Sequence, residues 1–137
     1  MIFAESERIG CLDQCLIHYR QREGSIMSSS SDRVREIFDI LMMVRENFSQ
    51  NGLSGRFHDE IEWLHIENLR LYGMFRFMRT ERFPEYYAKA TDILYACYPQ
   101  WRKNPYICDL GMKNRIFLMT LNGLSARLYR PLIAKGD

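Results

Sequence analysis

The sequence has no run of about 18 or more apolar residues, so no segment reads as a membrane-spanning helix. Its eight glycines are scattered, and neither Gly-x-Gly-x-x-Gly nor a Walker-type pattern occurs. That excludes the common phosphate cradles, which need glycine where backbone meets pyrophosphate ahead of a helix N-terminus. No Gly-x-Ser-x-Gly turn marks a nucleophile, so no Ser/His/Asp triad is expected. The four cysteines are Cys11, Cys15, Cys97 and Cys108, and only Cys11 and Cys15 form a close pair. A thiolate zinc site needs a second pair. With no charged-then-apolar leader ahead of them, all four read as free thiols of a cytosolic chain. The formal charge of +2 is too small to mark a nucleic-acid footprint by itself.

What is present suits a folded chain. At 137 residues, 47% hydrophobic and 26% charged, it has the size and composition of one ordinary soluble domain with a sizeable core. The polar tract from Ser28 to Ser31, closed by Asp32, cannot pack a core and offers a helix N-cap, so a boundary is expected there. Residues 1–27 form the first unit and residues 28–137 the second. Cys15 to Arg20 carries β-branched and aromatic residues that suit a short strand.

Beyond the boundary, helical periods take over. Val34, Ile37, Phe38, Leu41, Met42 and Phe48 gather on one stripe of a first helix, which Asn51-Gly52 stops. Phe57, Ile61, Leu64, Leu71, Phe75 and Met78 follow the four-three spacing of a longer helix, with Asn68 as the polar member of its stripe. Asn68 reads as a hydrogen-bonded core amide that fixes how the helices register. A third helix starts at Pro84, turns Tyr87, Ala90, Leu94 and Tyr98 inward, and ends at Pro99. Residues 99–106 read as a compact, packed connection holding Trp101 and Tyr106. A last helix is expected from about Met112 to Leu132, with Ile116, Leu124 and Leu128 inward. Arg127, Arg130 and Lys135 fall near its end, where cations suit the helix dipole. The expected fold is mainly α: a small bundle of about four helices after a strand-like remnant.

Few groups suggest chemistry. His58, Glu62 and His65 lie at four- and three-residue steps, and Glu62 with His65 forms a Glu-x-x-His pair of the kind found in di-iron bundles. No second such pair exists, so His65 reads as a satisfied, partly buried histidine and no metal ligand is assigned. Phenylalanine and arginine alternate from Met74 to Arg79, which can stack sugars or bases, although helical spacing favours core plus a solvated basic edge.

The segment His18-Tyr19-Arg20-Gln21-Arg22-Glu23-Gly24-Ser25-Ile26-Met27 is the most informative. Two arginines beside a Gly-Ser turn can clamp an anion, since guanidinium pairs with phosphate bidentately and such a turn exposes backbone N–H groups. A plain surface turn joining strand to helix accounts for it equally and is the commoner use of such a sequence.

Tyr19 through Met27 resembles the segment that closes the catalytic domain in many bacterial family-2 glycosyltransferases of capsule, lipopolysaccharide and exopolysaccharide synthesis. In those enzymes there follow a helix, a Lys/Asn-Gly turn, a long helix with a Glu-rich start, and a late Phe/Tyr-Pro-x-Trp-x-x-Asn-x-Tyr segment. This chain has Asn51-Gly52, Glu60 to Glu62, and Tyr98-Pro99-Gln100-Trp101-Arg102-Lys103-Asn104-Pro105-Tyr106 in the same order. The resemblance implies sugar transfer from a nucleotide-diphosphate sugar to a saccharide or lipid-linked acceptor, on a GT-A fold served by divalent manganese or magnesium. It puts the aspartate-rich metal motif and the nucleotide-binding half upstream of Met1; Asp13 and Asp32 do not form a paired Asp-x-Asp. This chain alone is therefore not expected to bind a cofactor or to transfer sugar. Tyr19, Arg20, Arg22 and Ser25 match the motif and are the expected contacts to donor phosphates or acceptor. His18 stands where the family more often has tyrosine and is given no ligand role.

A second reading of the same residues is a non-catalytic binding or assembly module whose basic-aromatic edge meets an anionic membrane surface or a protein partner. Action at the inner face of the membrane and self-association through an apolar face stay open on either reading.

Overall fold

The computed structural model describes residues 32–134 continuously, together with Ser6, Arg8, Gly10, Cys11, Asp13 and Gln14. The strand expected at Cys15 to Arg20, the boundary expected after residue 27, and Tyr19, Arg20, Arg22 and Ser25 lie outside the described residues. What is described is mainly helical, as the periodicity implies.

A 3-10 turn, Asp32–Arg35, leads into helix α1, Glu36–Gln50. Helix α2, His58–Ile66, runs through a π-helical turn, Glu67–Leu71, into α3, Tyr72–Met78. Then come α4, Phe83–Cys97, two 3-10 turns at Trp101–Lys103 and Pro105–Asp109, α5, Met112–Thr120, and α6, Gly123–Ala134. No helix among the described residues is long and apolar enough to cross a membrane.

The stop at Asn51-Gly52 forms as read: Gly52 takes φ 68°, a conformation open to glycine at little cost, and its N–H donates to Ser49 O at 3.1 Å. The α2–π–α3 rod is the centre of the bundle. Ile66, Leu69, Leu71, Met74 and Phe77 are all fully buried on it. The buried band is wider than the single stripe that four-three spacing suggests, and the half-exposed Tyr72 with the exposed Arg76 leaves an open strip beside it. Phe77 stacks on Phe38 of α1 at 5.3 Å and meets Tyr86 of α4 at 5.7 Å. Phe75 stacks on Phe117 of α5 at 4.9 Å, and Phe117 meets Tyr129 of α6 edge-on at 5.2 Å. Each such aromatic pair adds on the order of 1 kcal/mol beyond the area it buries.

The π turn explains Gly73. A Cβ there would fall inside the Asn68 carbonyl group, because the wider turn brings that carbonyl against the following helix. Asn68 itself corrects an expectation: it is half-buried, and its amide donates to Leu64 O of its own helix at 2.9 Å. Bonded along its own helix, it ties no two helices together.

Two other side chains make that connection. Arg70, 2% exposed within the π turn, donates to Leu121 O at 2.5 Å beyond α5 and to Thr91 Oγ1 on α4 at 3.4 Å. Its guanidinium lies over the rings of Tyr87 and Trp101, at 5.6 and 5.7 Å. Arg130 of α6 donates to Met78 O and Thr80 O at 3.2 and 3.0 Å, supplying donors at the end of α3 where helical carbonyls lack partners.

The last helix is not continuous. Leu121 is extended, with ψ 111°. Asn122 Oδ1 then accepts from the N–H groups of Leu124 and Ser125 at 3.0 and 2.9 Å, a side-chain cap that begins a new helix. The break resets the helical phase. Phe117, Leu118, Leu121 and Ala126 turn inward, while Ile116, Leu124 and Leu128, expected inside, stand 54%, 73% and 68% exposed.

Candidate functional site

The segment expected to be packed, residues 99–106, is held against the start of α2. Trp101 is fully buried. Asn104 precedes Pro105 and caps the second 3-10 turn, its Oδ1 accepting from Tyr106 N at 3.1 Å. Its amide Nδ2 donates to Glu62 Oε2 at 2.7 Å and to Asp59 O at 2.9 Å. Tyr106 donates its hydroxyl proton to Glu60 Oε1 at 2.9 Å, and its ring lies 6.2 Å from that of Trp63. The hydroxyl's pKa is raised, first because that bond holds the proton. Glu60, Glu62, Asn104 and Tyr106 thus form one polar staple between two segments far apart in sequence.

Beside the staple lies a groove of about 470 Å³ lined by residues that include Arg45 and Glu46 of α1, His58 of α2 and Tyr98 after α4. Tyr98 is its buried floor. The His65 ring meets it edge-on at 5.0 Å, the His58 ring at 6.2 Å, and the Arg45 guanidinium lies 6.0 Å from its centroid. Burial pushes the Tyr98 hydroxyl up to about 12, against the pull of Arg45. At neutral pH it is a hydrogen-bonding phenol, not a base. His65 is pushed below its ordinary value of 6.5, chiefly by burial. Its Nδ1 lies 2.8 Å from Ile61 O. A carbonyl only accepts, so Nδ1 carries the proton, and Nε2 is a bare acceptor without a partner among the described residues.

Ligand atoms of His58, Asp59 and Glu62 lie within 4.8 Å of one another. Such a trio could hold a divalent ion, with Glu62 Oε2 already engaged by Asn104. His65, the other half of the Glu-x-x-His pair, is engaged with its own helix. Cys11, Cys97 and Cys108 are free thiols. Among the described groove residues no hydroxyl or thiol is hydrogen-bonded to a histidine. The groove offers one cation, one carboxylate, hydroxyls and an aromatic floor, a lining suited to holding a polar ligand.

The groove was not legible from spacing, because Arg45, His58 and Tyr98 come from three elements. The staple left a local trace: asparagine followed by proline, the pattern of a capped first turn. No protein-family model, curated protein or solved structure matches the chain.

Proposed function

We propose that this chain is the helical C-terminal part of a bacterial family-2 glycosyltransferase that moves a sugar from a nucleotide-diphosphate sugar to a saccharide or lipid-linked acceptor in cell-surface polysaccharide synthesis. One observation carries the reading beyond the order of its motifs. The Glu-rich start of the long helix and the late Tyr-Pro-x-Trp-x-x-Asn-x-Tyr segment, two features separated in sequence, are bonded to each other through Glu62 and Asn104. A pair of motifs that make one structural joint has a physical reason to occur together.

On this reading catalysis belongs to a GT-A half upstream of Met1, with manganese or magnesium held there. Tyr19, Arg20, Arg22 and Ser25 line its donor or acceptor edge, where guanidinium groups offset charge developing on the leaving nucleotide diphosphate. The exposed Ile40 and Met43 of α1, the first helix after that segment, supply an apolar face for the catalytic half to cover. The reaction then runs on the cytoplasmic side, at the inner face of the membrane.

Calorimetric titration with nucleotide-sugars and manganese tests this, on the chain and on a version extended upstream through the catalytic half. Binding by the extended form alone is expected. Binding by neither, across the common sugar donors, sinks the proposal. In the active extended form, replacing both Arg20 and Arg22 with alanine is expected to lower turnover by about 100-fold or more.

A further inference from the structure

Helix α5 buries Phe117 and Leu118. At about 100° per residue, the side opposite these two carries Met112, Ile116 and Met119. They are 78%, 54% and 37% exposed. Helix α6 repeats the arrangement: Ala126 is buried, and Leu124 and Leu128 stand out from the other side. Five large apolar side chains on one short hairpin therefore face away from the core.

The charges on the two helices themselves have one sign. Lys113 and Arg115 flank the α5 stripe, and Arg127 lies on the exposed side of α6 next to Leu128. All three are exposed, and none has an ion-pair partner among the described residues. From Leu110 through Gly136 the sequence contains five lysines and arginines and no aspartate or glutamate, with the exposed Asp109 just before this stretch and Asp137 just after it. The exposed apolar residues of α1 differ: Ile40 and Met43 are accompanied by Glu36, Asp39 and Glu46.

We infer that the α5–α6 hairpin is a docking surface for an anionic lipid bilayer. Met112, Ile116, Met119, Leu124 and Leu128 enter the boundary between headgroups and acyl chains, and Lys113, Arg115 and Arg127 meet lipid phosphates. Exposed apolar side chains on helices whose own charges are all cations are complementary to such a surface. A second copy of the same hairpin would bring cation against cation, which disfavours self-association through this face. The inference rests on exposure and charge alone and is independent of sugar transfer.

Sedimentation of the full chain with vesicles tests it, using phosphatidylcholine alone and phosphatidylcholine mixed with phosphatidylglycerol, at low and high salt. Binding is expected to the mixed vesicles, weakening as salt rises. The triple variant Lys113→Gln, Arg115→Gln, Arg127→Gln is expected to weaken it about a hundredfold, roughly fivefold for each cation lost near the surface. Met112→Ser, Ile116→Ser, Met119→Ser is expected to weaken binding yet keep its salt dependence. These positions are exposed, so thermal unfolding of both variants is expected to match the parent, which separates lost docking from lost folding. Ile40→Ser, Met43→Ser on α1 is expected to bind as the parent does. Failure to sediment with the mixed vesicles, equal binding to neutral vesicles, or indifference to both hairpin variants overturns the inference. So does lipid-free dimerisation abolished by the serine variant, which would make the face a protein interface. No nucleotide-sugar enters the assay, so its outcome is separate from that of the glycosyltransferase proposal.

Discussion

Asn104 and Glu62, 42 positions apart, are joined by a buried 2.7 Å hydrogen bond between the amide and a carboxylate that is 6% exposed. The same amide reaches Asp59 O, so one side chain satisfies two acceptors on α2. Asn104→Ala strips both at once. Leaving buried acceptors unpaired costs on the order of 2 to 3 kcal/mol here. Chemical denaturation should show that loss, and adding Glu62→Gln should cost less in the Asn104→Ala background than in the parent, because the pair is coupled. Strict additivity would mean that the bond contributes nothing specific.

Gly73 predicts a sharper contrast. Its missing Cβ leaves room for the Asn68 carbonyl, whereas Gly55 has nothing within 4 Å of the corresponding position. Gly73→Ala is expected to destabilise the fold by about 3 kcal/mol, since backbone must move. Gly55→Ala is expected to stay within about 0.5 kcal/mol of the parent. Equal effects in thermal melts would contradict the crowding at the π turn.

Arg70 lies buried between the π turn, α4 and the end of α5. Arg70→Ala removes its bond to Leu121 O, its place over two aromatic rings and much of a packed side chain. A loss of about 3 to 5 kcal/mol is expected, comparable to emptying other large core sites. Arg70→Lys keeps a charge but not the planar fork that reaches two acceptors in different directions, and is expected to recover less than half of it. Full recovery would reduce Arg70 to a mere buried charge.

His65 and Tyr98 set opposite limits on pH. His65 titrates below its ordinary 6.5 when folded, so the unfolded chain binds more protons as pH falls beneath that value. Its contribution is therefore complete above about 6.5 and shrinks as the solution is acidified. Tyr98 titrates at about 12 rather than 10, so its contribution is complete below 10 and lost as pH rises through 12. Denaturation midpoints followed against pH should show both flanks. His65→Gln should flatten the acid side alone, and Tyr98→Phe the alkaline side alone. A variant whose acid flank matches the parent's would clear His65 of that role.

How much of this was legible beforehand depended on how local each determinant is. Gly52 and Pro84 act through their own backbone, so the ends of α1 and the start of α4 could be read directly. The break after α5 was missed because Asn122 resembled one more polar residue on a helix. Only the extended Leu121 behind it reveals the side chain as a cap. The π turn left the four-three spacing of Ile61, Leu64, Leu71 and Met78 intact, so periodicity could not detect it. The groove and the staple join residues from separate elements, and pairings of that kind are written in no short stretch of sequence.

The π turn also makes the central rod keep count. One residue beyond the usual turn is accommodated between Ile66 and Tyr72, and everything after it is rotated by about 100° from where an unbroken α-helix would carry it. Met74, Phe77 and Met78 reach the core in that rotated setting. Deleting one residue there would let the segment close as a plain α-helix and leave all three where they are, whereas adding one more would turn them about 100° further, toward the rim. The wide turn thus lets the chain carry one residue more than a plain helix would, without changing which side chains the protein keeps inside.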